Sequence, residues 1–194
     1  MPRTSADIYD EWLIARHLSG DEGALRDLVG RWHRRLYCHA RRLLGEADAA
    51  DDAAQEAWVA IVRGLGGLND SARFGPWAYA IVTHKCRDTI RRRARLRGVT
   101  PAAGSVVEPP APSPGERAES IDRLRGAIRG LPPMYRAILA LHYLEGMPVA
   151  EIAASLGIPP GTVKSRLFHA REHLRVAFTT DESTPHPTLE RSHP

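Results

Sequence analysis

The sequence predicts an all-α protein of two small helical domains joined by a flexible linker. Three observations carry this. Alanine and leucine dominate an apolar set that makes up 43% of the chain, while aromatics make up 6%, and that balance favours helices over sheets. Apolar residues recur three and four positions apart through most of the 194 residues. Between residues 98 and 117, GVTPAAGSVVEPPAPSPGER, the period stops and five prolines stand among small residues. Such a stretch is extended and partly polyproline-like. The organisation that follows is a first domain over 6–97, the linker over 98–117, a second domain over 118–178, and a polar, Pro-rich tail over 179–194 that is expected to be disordered.

In the first domain, Ile8, Trp12, Ile14 and Leu18 give a helix ending at Gly20. Ser19 and Glu22 fit a capping box for the next helix. There Trp32, Leu36, Ala40 and Leu43 make an apolar stripe that Gly45 closes. The following segment, EADAADDAAQEAWVAIVRGL, opens with acids, as a helix N-terminus prefers. Its inner face is Ala50, Ala53, Ala57, Ile61 and Leu65, small enough for close helix–helix approach. From Glu46 to Glu56 there are five acids and no Lys or Arg. That cluster serves either the helix dipole and solubility or the docking of a basic protein surface.

A loop, GLNDSARFG, leads to Pro76, which suits the first turn of a helix. Within that helix Tyr79, Val82, Cys86 and Ile90 share one face, and His84, Arg87, Asp88, Arg91 and Arg95 share the other. From Lys85 to Arg97 there are seven basic residues against one acid. A basic face beside Phe74, Trp77 and Tyr79 suits single-stranded nucleic acid, with arginines on phosphates and rings on exposed bases. Trp77 and Tyr79 can equally be core residues, and Tyr79 is read as core. An acidic surface and a basic one on a chain of net charge +4 imply two different partners.

In the second domain, Ile121, Leu124, Ile128 and Leu131 give one helix, which Pro132-Pro133 breaks. A second runs from about Met134 to Leu144. The stretch VAEIAASLGIPPGTVKSRLFHAREHLR then reads as helix, tight turn, helix. Val149, Ile152, Ala153 and Leu156 share a face, Gly157 ends the helix, and Pro159 and Pro160 stop its continuation. Thr162 is placed to cap the last helix, whose buried stripe is Val163, Leu167, Ala170 and Leu174. Ser165, His169 and Glu172 form the outer arc, flanked by Lys164, Arg171 and Arg175 on one side and Arg166 and His173 on the other. This is the helix-turn-helix layout, whose second helix enters the DNA major groove.

Other function classes find little support. Cys38 and Cys86 make neither a CxxC pair nor a disulfide framework, and Cys86 on an apolar stripe is read as buried and inert. His169 and His173 stand four apart without an H-E-x-x-H pattern, and there is no Gly-rich phosphate loop. No enzyme, metal or cofactor is therefore expected. Neither a signal peptide nor a membrane span is visible, and the chain is read as cytoplasmic. A stand-alone helix-turn-helix regulator would explain the end of the chain but not the acidic helix or the arginine-rich one.

Taken in order, these segments resemble the extracytoplasmic-function sigma factors, the small two-domain sigma subunits of bacterial RNA polymerase. DAADDAAQEAWVAI is similar to that family's region 2.2, FGPWAYAIVTHKCRDTIRRR to its regions 2.3 and 2.4, and the stretch from Leu131 to Arg175 to its region 4. The resemblance covers roughly 6–178. It implies that the first domain is sigma region 2 and the second is sigma region 4. It implies core-polymerase docking through Asp48, Asp51, Asp52, Gln55, Glu56 and Trp58. Capture of the melted −10 element would fall to Asn69, Phe74, Trp77, His84, Lys85, Arg87, Arg91 and Arg92. Reading of the −35 element would fall to Thr162, Lys164, Ser165, Arg166, His169 and Arg171. The implied partners are core RNA polymerase and promoter DNA, with an anti-sigma factor a plausible third. The family usually has Asn at the position of His84 and Arg at that of His169, which bears on promoter preference rather than fold.

Overall fold

The computed structural model describes residues 5–97 and 116–179. Its regular elements are all helical: α1 (Ser5–Leu18), α2 (Glu22–Leu44), α3 (Ala47–Gly64), α4 (Phe74–Arg97), α5 (Glu116–Gly130), α6 (Pro133–Tyr143), α7 (Val149–Leu156) and α8 (Pro160–Thr179). Two 3-10 turns, Leu65–Gly67 and Ser71–Arg73, connect α3 to α4. The expected disorder of the tail, and nearly all of the linker, lie outside the described residues. Helix α5 starts at Glu116, two residues ahead of the domain boundary read from composition.

The first domain packs α1, α3 and α4 around α2. Leu28, Leu36 and Ala40 of α2 meet Ala50, Ala53, Ala57 and Ile61 of α3 and Ala78, Val82 and Cys86 of α4, all at 1% exposure or less. Alanines on α3 cost little side-chain entropy and let the helix axes approach. The face of α1 differs from the sequence reading. Ile8, Trp12 and Leu18 are 55%, 47% and 55% exposed, and the buried residues are Asp10, Leu13 and Ile14. The cause is polar: Asp10 accepts hydrogen bonds from Trp32 Nε1 at 2.9 Å and Arg31 Nε at 2.7 Å, and this rotates the helix. A buried carboxylate held by two donors outweighs the apolar surface left in water.

Two helix caps also differ from expectation. Asp21, not Ser19, caps α2: its carboxylate accepts from the backbone N–H groups of Gly23 and Ala24 at 2.8 and 3.3 Å. The Ser19 hydroxyl instead donates back to the Ala15 carbonyl. Thr162 lies inside the first turn of α8, because Pro160 already starts that helix and the Pro159 carbonyl accepts from the N–H groups of Thr162 and Val163. A proline at the first helical position lacks the N–H that would be unsatisfied there.

The second domain packs α5, α6 and α7 against α8. Ile138, Leu141, Ile152, Leu156, Val163 and Ala170 are its fully buried centre. Gly157 ends α7 with a left-handed φ of 56°, where a side chain would be strained. The domains also touch each other, α7 on α4 and α6 on α2.

Candidate nucleic-acid and polymerase interfaces

On α3 the acidic row lies outward. Asp48, Asp52, Gln55 and Glu56 are exposed, Asp51 is half-buried, and Gln55 donates to Asp51 at 2.8 Å. Part of the row leans on α4, since Glu56 lies 3.6 Å from Lys85 and Glu46 lies 2.9 Å from Arg93. Trp58 does not belong to this surface. It is 8% exposed and packs inward, because it falls on the stripe of Ala54 and Ile61 rather than on that of Gln55. The apolar residues that do border the acids are Val59 and Val62, 51% and 39% exposed. The sequence reading missed them, although they follow Gln55 and Glu56 at helical spacing.

The loop before α4 builds a second site. Asp70 accepts from the Ala72 N–H and so fixes the short Ser71–Arg73 turn, leaving Asn69 and Arg73 exposed. Phe74 corrects the sequence reading: at 1% exposure it lies edge-on to Trp32, with ring centroids 5.2 Å apart, and offers no face to a base. It is drawn in because α4 starts there and the aromatic cluster of Trp32 and Tyr79 closes over it. Gly75 permits this closure, since a Cβ there would sit 2.8 Å from the Trp32 ring. Trp77 is half-buried against Phe74. Leu68, Asn69, Arg73 and Trp77 line a cleft of about 360 Å³, whose far wall is Ala154 and Ser155 of α7.

Along α4 the side chains separate largely as the spacing predicts, except that Ile90, expected on the inner face, is 37% exposed and Arg87, expected on the outer face, is half-buried. Tyr79, Val82 and Cys86 are buried, and His84, Asp88, Arg91, Arg92 and Arg95 are exposed. Burial pushes the Tyr79 phenol well above its usual range, and the nearby Glu145 carboxylate pushes the same way. Burial likewise pushes the Cys86 thiol up to about 12, so it is not a thiolate near neutral pH. His84 Nδ1 lies 3.1 Å from the Asp88 carboxylate, and Arg91 lies 3.9 Å from the same group. Arg87 is half-buried and donates to the Leu156 carbonyl of the second domain.

On α8 the outer face is open. Lys164, Ser165, His169 and Arg171 are exposed, while Thr162 and Arg166 are half-buried at its edges. Arg171 Nε donates to the Tyr143 hydroxyl at 2.7 Å, so α6 steadies that side chain. Phe168, 63% exposed beside His169, adds an apolar group to the same face that the charge pattern did not announce. Among the described residues no helix is long and apolar enough to cross a membrane.

An acidic helix, a cleft with a basic helix, and a helix-turn-helix thus follow one another along the chain. Residues 28–96 match the family described as Sigma-70 region 2, and residues 121–174 match Sigma-70, region 4. The chain is 34% identical over 170 residues to the ECF RNA polymerase sigma factor SigM of Mycobacterium tuberculosis, covering 85% of this chain and 82% of that protein. It belongs to the extracytoplasmic-function sigma factors. The sigma factor SigW of Bacillus subtilis is 30% identical over 167 residues, covering 80% of this chain and 89% of that one. Among solved structures, CnrH in complex with the cytosolic domain of CnrY matches with a TM-score of 0.59 and 27% identity, covering 89% of this chain and 99% of that one. RpoE of Bartonella quintana, in complex with the anti-sigma factor NepR, shares the fold at a TM-score of 0.63 and 22% identity, covering 81% and 98%. As a sigma factor the protein partners with core RNA polymerase and promoter DNA and directs transcription initiation. Its α2–α4 unit is region 2, and its α5–α8 unit is region 4. A stand-alone operator-binding role is not favoured.

Proposed function

We propose a division of labour among the sigma factor's surfaces. The acidic row of α3, Asp48, Asp51, Asp52, Gln55 and Glu56, with Val59 and Val62 beside it, docks on core polymerase. The cleft at Asn69, Arg73 and Trp77 takes a base extruded from the melted −10 element, and Lys85, Arg87, Arg91 and Arg92 hold the strand's phosphates. His84 stands at the edge of this surface, where its ring can hydrogen-bond a base or a phosphate. Separating the strands costs stacking and pairing. A base held in a pocket and phosphates neutralised by guanidinium groups offset that cost. The protein acts here by binding and strand separation, with no bond made or broken by its own side chains.

On the other domain α8 lies in the major groove of the −35 element. Thr162 and Lys164 meet the backbone at the helix start, Ser165, Arg166 and His169 reach base edges, and Arg171, steadied by Tyr143, meets a phosphate. Either domain alone binds weakly. Polymerase fixes their separation and so makes the second contact intramolecular. One similar solved structure holds the sigma factor RpoE bound to the anti-sigma factor NepR, and we extend to this chain a protein antagonist of that kind. The protein works in the cytoplasm, where polymerase is.

The observation that carries the reading is the α8 face, with Lys164, Ser165 and His169 outward above buried Val163, Leu167 and Ala170. The test is run-off transcription with bacterial core polymerase on fragments of the source genome. Discrete transcripts that require both components are the expected result. Failure to bind core, with tight duplex binding by the free protein, would overturn it.

A further inference from the structure

The second domain carries an apolar groove that none of the surfaces above uses. Ile128 of α5, Leu139 of α6 and Leu174 of α8 line it, and so does Leu144, which is 70% exposed. Its volume is about 530 Å³, within the range of small-molecule sites. Four arginines line the same groove: Arg136 of α6, Arg171 and Arg175 of α8, and Arg42 from the last turn of α2. No carboxylate lines it among the described residues. The groove therefore pairs a hydrocarbon surface with positive charge alone.

Two of the arginines are engaged, Arg171 with the Tyr143 hydroxyl and Arg175 with Glu172. Arg136 is placed differently. It is 8% exposed, its Nη1 donates to the Arg129 carbonyl at 3.1 Å, and its Nε has no acceptor among the described residues. It stands at the end of the first turn of α6, where the helix dipole is positive and a cation is disfavoured. Burial and the Arg41 guanidinium both press its pKa below the ordinary arginine value. A guanidinium remains protonated near neutrality even so. One carbonyl is a partial counter-charge, and a buried cation left with no more than that is costly. Arg42 brings a second guanidinium to the same groove. The missing group is an anion, and the surface beside it is hydrocarbon.

We propose that this groove binds an anionic amphiphile, a single-chain fatty carboxylate whose chain lies along Ile128, Leu139, Leu144 and Leu174 and whose head completes Arg136 and Arg42. The head must reach a side chain that is 8% exposed. A free carboxylate can do so, whereas a headgroup packed among its neighbours in a bilayer cannot.

The test is isothermal titration calorimetry of the full chain with sodium laurate below its micellar concentration. Saturable one-site binding is expected, about fourfold weaker for each methylene removed from the chain. Dodecanol and dodecyltrimethylammonium, with the same chain and a neutral or cationic head, should bind at least about tenfold more weakly. Arg136→Met should weaken laurate by a similar factor. Leu144→Glu, at an exposed position, places a carboxylate in the groove and should do the same without disturbing the core. Circular dichroism checks that both variants keep their helices. Dodecanol binding as tightly as laurate, or laurate affinity unchanged in the folded variants, would overturn the site. So would binding of phosphatidylglycerol vesicles or of an acidic amphipathic peptide, lost in Leu144→Glu, where free laurate does not bind, since the groove would then serve a membrane or a protein.

Discussion

The two helices proposed to read DNA are built on opposite plans. Helix α8 is a simple amphipathic helix, with Val163, Leu167 and Ala170 buried and Lys164, Ser165 and His169 facing water. Helix α4 grows out of an aromatic cluster, in which Trp32, Phe74 and Tyr79 are interlocked beneath its first turns. Three of its basic side chains are also engaged before any DNA arrives: Lys85 with Glu56, Arg93 with Glu46 and Arg87 with α7. A duplex presents a ready-made groove, so its reader needs only an exposed face. A melted strand must be held in a costly conformation, so its reader needs a rigid scaffold and a built cleft.

The largest expected effect breaks the scaffold of one reader and spares the other. Trp32→Ala removes the centre of the aromatic cluster and should cost the first domain about 3–5 kcal/mol. All four tryptophans, at positions 12, 32, 58 and 77, lie in that domain, so intrinsic fluorescence during urea unfolding follows it selectively. Circular dichroism should show α5–α8 unfolding later than α1–α4.

Acid should separate the domains in the same sense. His39 is fully buried against Thr83, its Nε2 2.9 Å from the hydroxyl, and desolvation lowers its pKa to about 3, with Arg42 adding to the shift. The unfolded histidine titrates near its ordinary 6.5. Between those values the unfolded state binds the extra proton, so first-domain stability is full above pH 6.5 and falls as the pH drops. The loss from pH 7 to pH 5 should be about 2 kcal/mol, read by urea titration at each pH, and His39→Gln should flatten it.

Smaller effects sharpen the comparison on the α8 side. Arg166→Ala should reduce transcription about tenfold from promoters that depend on the −35 element, while leaving strand capture by α4 unchanged. Tyr143→Phe removes only the hydroxyl that steadies Arg171, and about a twofold loss of −35 affinity is expected in a binding titration.

Regular periodicity made α8, α7 and the cores of α2 and α3 legible, because one face of each is apolar and the other polar. Helix α1 was misread because its orientation is set by one buried carboxylate, Asp10, which an apolar period does not register. Phe74 and Trp58 were read as contact residues because an aromatic ring in a functional stretch can equally be core. Only the packing of Trp32 over Gly75, and the inward turn of the Trp58 face, decides between them. Val59 and Val62 are marked only by their helical spacing from Gln55 and Glu56, and nothing in the charge pattern marks Phe168. The contact of α7 with α4 joins residues 69 positions apart, such as Arg87 and Leu156, and no spacing within either domain announces it.

The most direct test of this division of labour is footprinting of promoter complexes formed with core polymerase. Permanganate would report unpaired thymines at −10, and nuclease protection would report −35. An Arg91→Ala, Arg92→Ala double variant should keep −35 protection and lose −10 melting, whereas Arg166→Ala should weaken −35 protection first. Loss of both signals together in both variants would contradict the account, because it would mean that the two helices do not read the promoter as separate devices.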